Sequence, residues 1–166
     1  MMNRGKTLKL LLGQAMLVSW LIVLPGCPVE YCFDAKWDVV IKITSHTSGA
    51  VVADALVYYQ AAVPDYQYQP VLTADADPAL FAGNSASTDG GGLARLHIVE
   101  GFCGPPPWTA DSFPTEPTYE YRVRVDAGEA REVLTLPIFA GGTATGTQFD
   151  VEVVSVEAPD ITWAWQ

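Results

Sequence analysis

An all-β sandwich of about seven short strands is the fold class this sequence predicts, and three observations predict it. Beyond residue 36, several runs alternate apolar and polar side chains with a period of two, the repeat of a strand with one buried face. Turn-forming Gly, Pro, Asn and Asp separate those runs at short intervals. No window after residue 26 sustains the 3.6-residue repeat of an amphipathic helix, so packed layers of strands are left to close the core.

The first 26 residues stand apart from that pattern. Arg4, Lys6 and Lys9 form a basic head with no acidic residue, and residues 10–24 are largely apolar and helix-compatible. Pro25 ends the run, and Gly26 supplies a small residue before Cys27. Basic head, apolar middle and small-residue exit are the marks of an export signal. The apolar run is shorter than the ~20 residues a membrane-spanning helix needs. Leu24, Gly26 and Cys27 resemble the lipobox of bacterial lipoprotein signals, with Pro25 where Ala, Ser or Thr is usual. That resemblance covers residues 1–27. It implies cleavage before Cys27, a diacylglycerol on its thiol and often an acyl group on its new amine. Several chains anchor stably where one holds poorly. Pro28 stands where an Asp commonly retains such proteins at the inner membrane, which implies the outer membrane or cell surface. The alternative is an ordinary thiol following a plain secretory signal.

The expected layout is a signal at 1–26, a short tether at 27–36, a sandwich at 37–156 and a tail at 157–166. All 19 acidic residues lie after residue 26, against six of the nine basic ones, leaving a formal charge of −13 for that part. Phosphate binding depends on Lys and Arg, so this balance disfavours nucleic acid and anionic headgroups. Solvation of an exported protein accounts for the charge; calcium binding by the excess carboxylates is the alternative.

With Cys27 assigned to lipid, Cys32 and Cys103 remain, and two thiols in an oxidising compartment usually pair. Their link would close a loop of about 70 residues, worth roughly 4 kcal/mol on chain entropy. The alternative is an unpaired or metal-bound thiol.

The strands follow in order. Trp37, Val39, Ile41 and Ile43 fall on one face of the first run, opposite Asp38, Lys42 and Thr44. Residues 45–49 carry turn chemistry, and 55–59 form a second short β-rich run. Residues 60–87 read as loop, broken by Pro64, Pro70 and Pro78, with 71–73 as a short edge strand. Thr88-Asp89-Gly90-Gly91-Gly92 is the strongest turn signal, because Gly permits positive φ and Asp bonds its own backbone two residues on. In the run that follows, Ala94, Leu96 and Ile98 form the apolar face, opposite Arg95 and His97. Residues 101–117 form a proline-rich loop. Tyr119, Tyr121, Val123 and Val125 then alternate with Glu120, Arg122, Arg124 and Asp126. Gly128-Glu129 turns the chain into 131–136, and a last strand at 147–156 points Phe149, Val151 and Val153 inward. Trp163 and Trp165 share one side of the tail and read as cover for an edge or a gap in the core.

The order of these features resembles the carboxypeptidase regulatory-like domain, an Ig-like or transthyretin-like β-sandwich. Gly49 followed by Asp54-Ala55-Leu56-Val57 is similar to that family's Gly turn and Ala-x-Val strand. Thr88-Asp89-Gly90-Gly91-Gly92 resembles its Thr-Asp-x-x-Gly hairpin turn. Tyr121-Arg122-Val123-Arg124-Val125-Asp126-Ala127-Gly128 resembles its strand ending in Ala-x-Gly, one residue shorter. The loops at 60–87 and 101–117 are longer than the family's usual connections. The resemblance implies an accessory module with no chemistry or cofactor of its own.

No catalytic residue stands out. Gly83-Asn84-Ser85-Ala86-Ser87 lacks the final Gly of a nucleophile elbow, and no helix follows it. His46 and His97 are the only histidines, and nothing spaces them as zinc ligands. Asp75-Ala76-Asp77 lacks the following oxygen ligands and Gly of a calcium loop. Transthyretin-related hydrolases end in Tyr-Arg-Gly-Ser, whereas this chain ends in Thr162-Trp163-Ala164-Trp165-Gln166. Tyr66, Tyr68, Phe81, Trp108 and Phe113 sit in long loops, where flat rings stack on sugar or peptide or simply anchor the loop. The expected function is therefore an envelope lipoprotein with a non-catalytic structural or protein-interaction module, its partners the membrane and an envelope protein or glycan. The alternative is a carbohydrate-binding module using Tyr66, Tyr68 and Trp108. A small hydrolase is the third reading.

Overall fold

The longest alternation in the chain builds its longest strand. The computed structural model describes residues 31–62, 70–104 and 120–164, with side chains throughout except at 31–33, 102–104 and 163–164. In chain order the strands are β1 (Tyr31–Ser45), β2 (Leu56–Ala61), β3 (Ser85–Ser87), β4 (Leu93–Gly104), β5 (Tyr121–Ala127), β6 (Ala130–Leu136), β7 (Thr143–Thr145), β8 (Phe149–Val156) and β9 (Asp160–Ala164). They form two antiparallel sheets. One has the order β4-β1-β8-β7 with β9 also beside β1, and the other the order β3-β2-β5-β6. The all-β sandwich follows from that arrangement.

The core lies between the sheets and takes the side chains the alternation assigns to it. Trp37, Val39, Ile41 and Ile43 of β1 are buried, as are Ala94, Leu96 and Ile98 of β4 and Phe149, Val151 and Val153 of β8. The second sheet answers with Val57, Tyr59, Tyr121, Val123, Val125, Leu134 and Leu136. Each fully buried Val, Leu or Ile contributes roughly 1.5–3 kcal/mol. Phe139 sits edge-on to Trp37 of one sheet at 5.0 Å and to Tyr121 of the other at 5.7 Å.

The β3–β4 turn is built as its residues dictate. Asp89 Oδ1 accepts from Gly91 N–H at 2.8 Å and from Leu93 N–H at 2.9 Å. Gly92 has φ +73°, and a Cβ there would stand 2.8 Å from Ile43 O. Glycine is required at that position by both conformation and space.

The described residues form nine strands where about seven are expected, and the differences have local causes. β3 and β7 are three-residue edge strands too short to show a period. β9 continues along β1 after residues 157–159, where Pro159 brings no N–H to the ladder. β1 begins at Tyr31, so residues 31–36 of the expected tether belong to the strand. Residues 71–73 form no strand. Leu72 is buried with Tyr58 and Phe81, and the Gln60 amide takes the partner's place, accepting from Leu72 N–H and donating to Pro70 O, both at 2.8 Å. The segment expected to form a helical signal lies outside the described residues.

Candidate functional site

The outward face of β1 and β4 carries a cluster of ionisable side chains, Asp38, Arg95 and His97, joined by Glu157. Trp37 and Val39 point into the core, so Asp38 between them points out; Leu96 and Ile98 do the same for His97. The register sets Asp38 opposite His97. His97 Nδ1 lies 2.5 Å from Asp38 Oδ1, and Arg95 Nη1 donates to Asp38 Oδ2 at 3.2 Å and to Glu157 Oε1 at 3.4 Å. The His97 hydrogen bond holds the Asp38 carboxyl below its usual range against the opposing effect of desolvation, helped by the His97 charge and then by the hydrogen bond and charge of Arg95. From the core side, Tyr59 Oη donates to the His97 carbonyl at 2.6 Å. Burial raises the Tyr59 phenol, and that hydrogen bond partly opposes the shift.

Asp38, His97 and Glu157 border a shallow cleft of about 300 Å³, to which Lys36, Val99 and Asp160 also contribute. His97 is exposed and its Nδ1 is held by Asp38, a geometry that orients a general base. The described lining holds no hydroxyl or thiol that such a base could activate. Among the described residues, no three His, Cys, Asp or Glu side chains are grouped to hold a metal ion.

Two further polar centres fasten loops. Arg124 on β5 is fully buried on the outer face of the second sheet. Its Nη1 donates to Thr73 O at 3.2 Å and Ala76 O at 2.7 Å, and the guanidinium lies 5.4 Å from the centre of the Tyr58 ring. Glu132 on β6 receives the N–H groups of Thr147, Gln148 and Phe149 and the Thr147 hydroxyl, at 2.7–3.0 Å. Partial burial pushes its carboxyl up, but these four donors outweigh burial and bring it down to about 2.

Of the residues singled out from sequence, Cys27, Tyr66, Tyr68, Trp108 and Phe113 lie outside the described part. Cys32 and Cys103 fall on β1 and β4, directly opposite each other in the backbone register. Phe81 is buried against Tyr58 and Leu72, a loop anchor. Ser85, in the incomplete nucleophile motif, lies on β3 and its hydroxyl donates to Ala82 O at 2.8 Å. Asp77 caps the short 3-10 turn Pro78–Phe81 through Ala79 N–H. His97 is exposed, as its strand face predicts, and its partner Asp38 becomes visible only through the register. Arg124 and Asp126 had a signal in sequence, since residues two apart on a strand share a face. Glu132 had none, because its partners are three backbone N–H groups and one hydroxyl 15 to 17 residues away.

Comparison with protein-family models, with curated proteins and with solved structures found no match to this chain.

Proposed function

We propose that this chain is a bacterial envelope lipoprotein, held at the outer membrane or cell surface through Cys27, whose β-sandwich is a non-catalytic structural or protein-interaction module. The observation that carries this reading is where the domain starts. β1 is the central strand of its sheet and begins at Tyr31, four residues after Cys27. Four extended residues reach about 14 Å at most, so lipid on Cys27 would hold the sandwich against the bilayer surface. A module fixed that closely suits scaffolding or partner contact better than capture of distant substrate.

The carboxypeptidase regulatory-like reading draws support from the placement of its motifs. Gly49 and Gly128 have positive φ at turns, and Thr88-Asp89-Gly90-Gly91-Gly92 leads into β4. The third motif is β5 itself. The strongly held polar groups serve the fold: Arg124 fastens residues 73–76 and Glu132 the turn at 146–149.

Cys27→Ser with membrane fractionation tests the reading. The unmutated protein is expected to stay with membranes through a detergent-free wash and to leave them in detergent, while the variant becomes washable. A variant that stays in the washed membrane fraction overturns the lipid anchor. A turnover by the purified protein that one point substitution abolishes overturns the non-catalytic role.

A further inference from the structure

The geometry points to a disulfide bond between Cys32 and Cys103, at a position of the β1–β4 ladder where side chains approach most closely. Opposed residues of an antiparallel pair alternate between hydrogen-bonded sites, with Cα atoms about 5.5 Å apart, and non-hydrogen-bonded sites at about 4.5 Å with closer side chains. Two backbone hydrogen bonds identify the kind of site. Ile43 N–H donates to Gly92 O at 2.9 Å, one step beyond the pair Lys42 and Leu93, so odd-numbered residues of β1 turn their backbone groups toward β4. Asp38 O accepts from Glu157 N–H at 2.9 Å on the other side, so even-numbered residues turn away. The β1–β4 register runs unbroken from Lys42 to Tyr31 and sets Cys32 opposite Cys103. Cys32 is even-numbered, and the two cysteines occupy a non-hydrogen-bonded site.

Another site of the same kind shows what that means. Asp38 and His97, six residues along the ladder, bring their side chains to 2.5 Å. A disulfide spans Cα separations of roughly 4.4–6.8 Å, which includes the spacing of this site. The bond would clamp β4, an edge strand of its sheet, to the central strand five residues from Cys27. It would thereby protect the end of a 12-residue edge from fraying.

Formation is an exchange with a disulfide oxidant. One Cys thiolate attacks the oxidant's sulfur and gives a mixed disulfide. The second thiolate then displaces the oxidant's remaining thiol, so two electrons and both thiol protons leave with the oxidant as two thiols. The bond rests on the proposed export only for the source of that oxidant in the cell.

The test uses the full chain carrying Cys27→Ser, which leaves two cysteines, purified reduced in detergent and incubated with oxidised glutathione. The expected product has lost both thiols, has gained no glutathione mass and yields one crosslinked peptide pair. In the same background, Cys32→Ser or Cys103→Ser gains one glutathione. A folded protein, by circular dichroism, that gains two glutathiones or keeps both thiols overturns the proposal. Thiol trapping in cells with the native chain separates this from the export reading. A bond that forms in vitro but stays reduced in cells supports the geometry and overturns export, whereas no bond in either setting overturns the geometry.

Discussion

Arg124 and Asp126 stand two residues apart on β5 and share a bidentate ion pair, Nε to Oδ1 and Nη2 to Oδ2, each at 2.7 Å. The hydrogen bonds to Asp126 raise the guanidinium pKa, outweighing burial, which lowers it. The pair turns the polar face of a strand into the base on which residues 70–81 lie. Buried charge is tolerated here because every side of the guanidinium is occupied: a carboxylate, two carbonyls and an aromatic face.

Arg124→Ala should destabilise the protein by about 1–3 kcal/mol, since it takes the donor from two loop carbonyls and leaves the half-buried Asp126 carboxylate with Arg131 alone, at 3.4 Å. Denaturant titration measures the loss, and limited proteolysis should cut first within residues 70–81. Arg124→Lys keeps the charge but not the planar fork and should recover only part of the stability.

Glu132 gives the protein an acid-sensitive turn. Its folded pKa of about 2 lies below the usual carboxylate range, so its stabilising contribution is full above the unfolded value. That contribution is lost as pH falls from the ordinary Glu value of ~4.3 through the folded value. Glu132→Gln should cost on the order of 2 kcal/mol at pH 7 after allowance for solvent screening. The difference in melting midpoint between variant and parent should shrink steadily below pH 4; a constant gap would refute the assignment.

Gly92→Ala should destabilise by about 1–3 kcal/mol, because its φ of +73° is disfavoured for Ala and the new methyl would meet Ile43 O. Gly90→Ala is the control, with nothing within 4 Å of its Cβ position. Thermal melts of the two variants should separate clearly; equal losses would contradict the role given to Gly92.

The Asp38 carboxyl should titrate below its ordinary value in a carbon-detected NMR titration, with His97→Ala moving it back up. Both groups are partly or largely exposed, so stability should change little in the same variant.

The alternations of β1, β4, β5 and β8 made their inner faces legible, because burial on one side of a sheet writes a period of two into the sequence. What the sequence concealed depends on how strands meet. Arg124 reads as a solvated position until residues 70–81 are known to cover it. Asp38 and His97 are 59 residues apart and become partners only through the register. β3, as Ser85–Ser87, has no apolar side chain larger than Ala to mark it as a strand.

The most direct test of the membrane-module reading is mass spectrometry of the amino-terminal peptide of the protein isolated from its native membranes. The expected result is a peptide that begins at Cys27 and carries the mass of a diacylglyceryl group on its sulfur. An amino terminus elsewhere, or an unmodified Cys27, would contradict the anchor and with it the placement of β1 at the membrane surface.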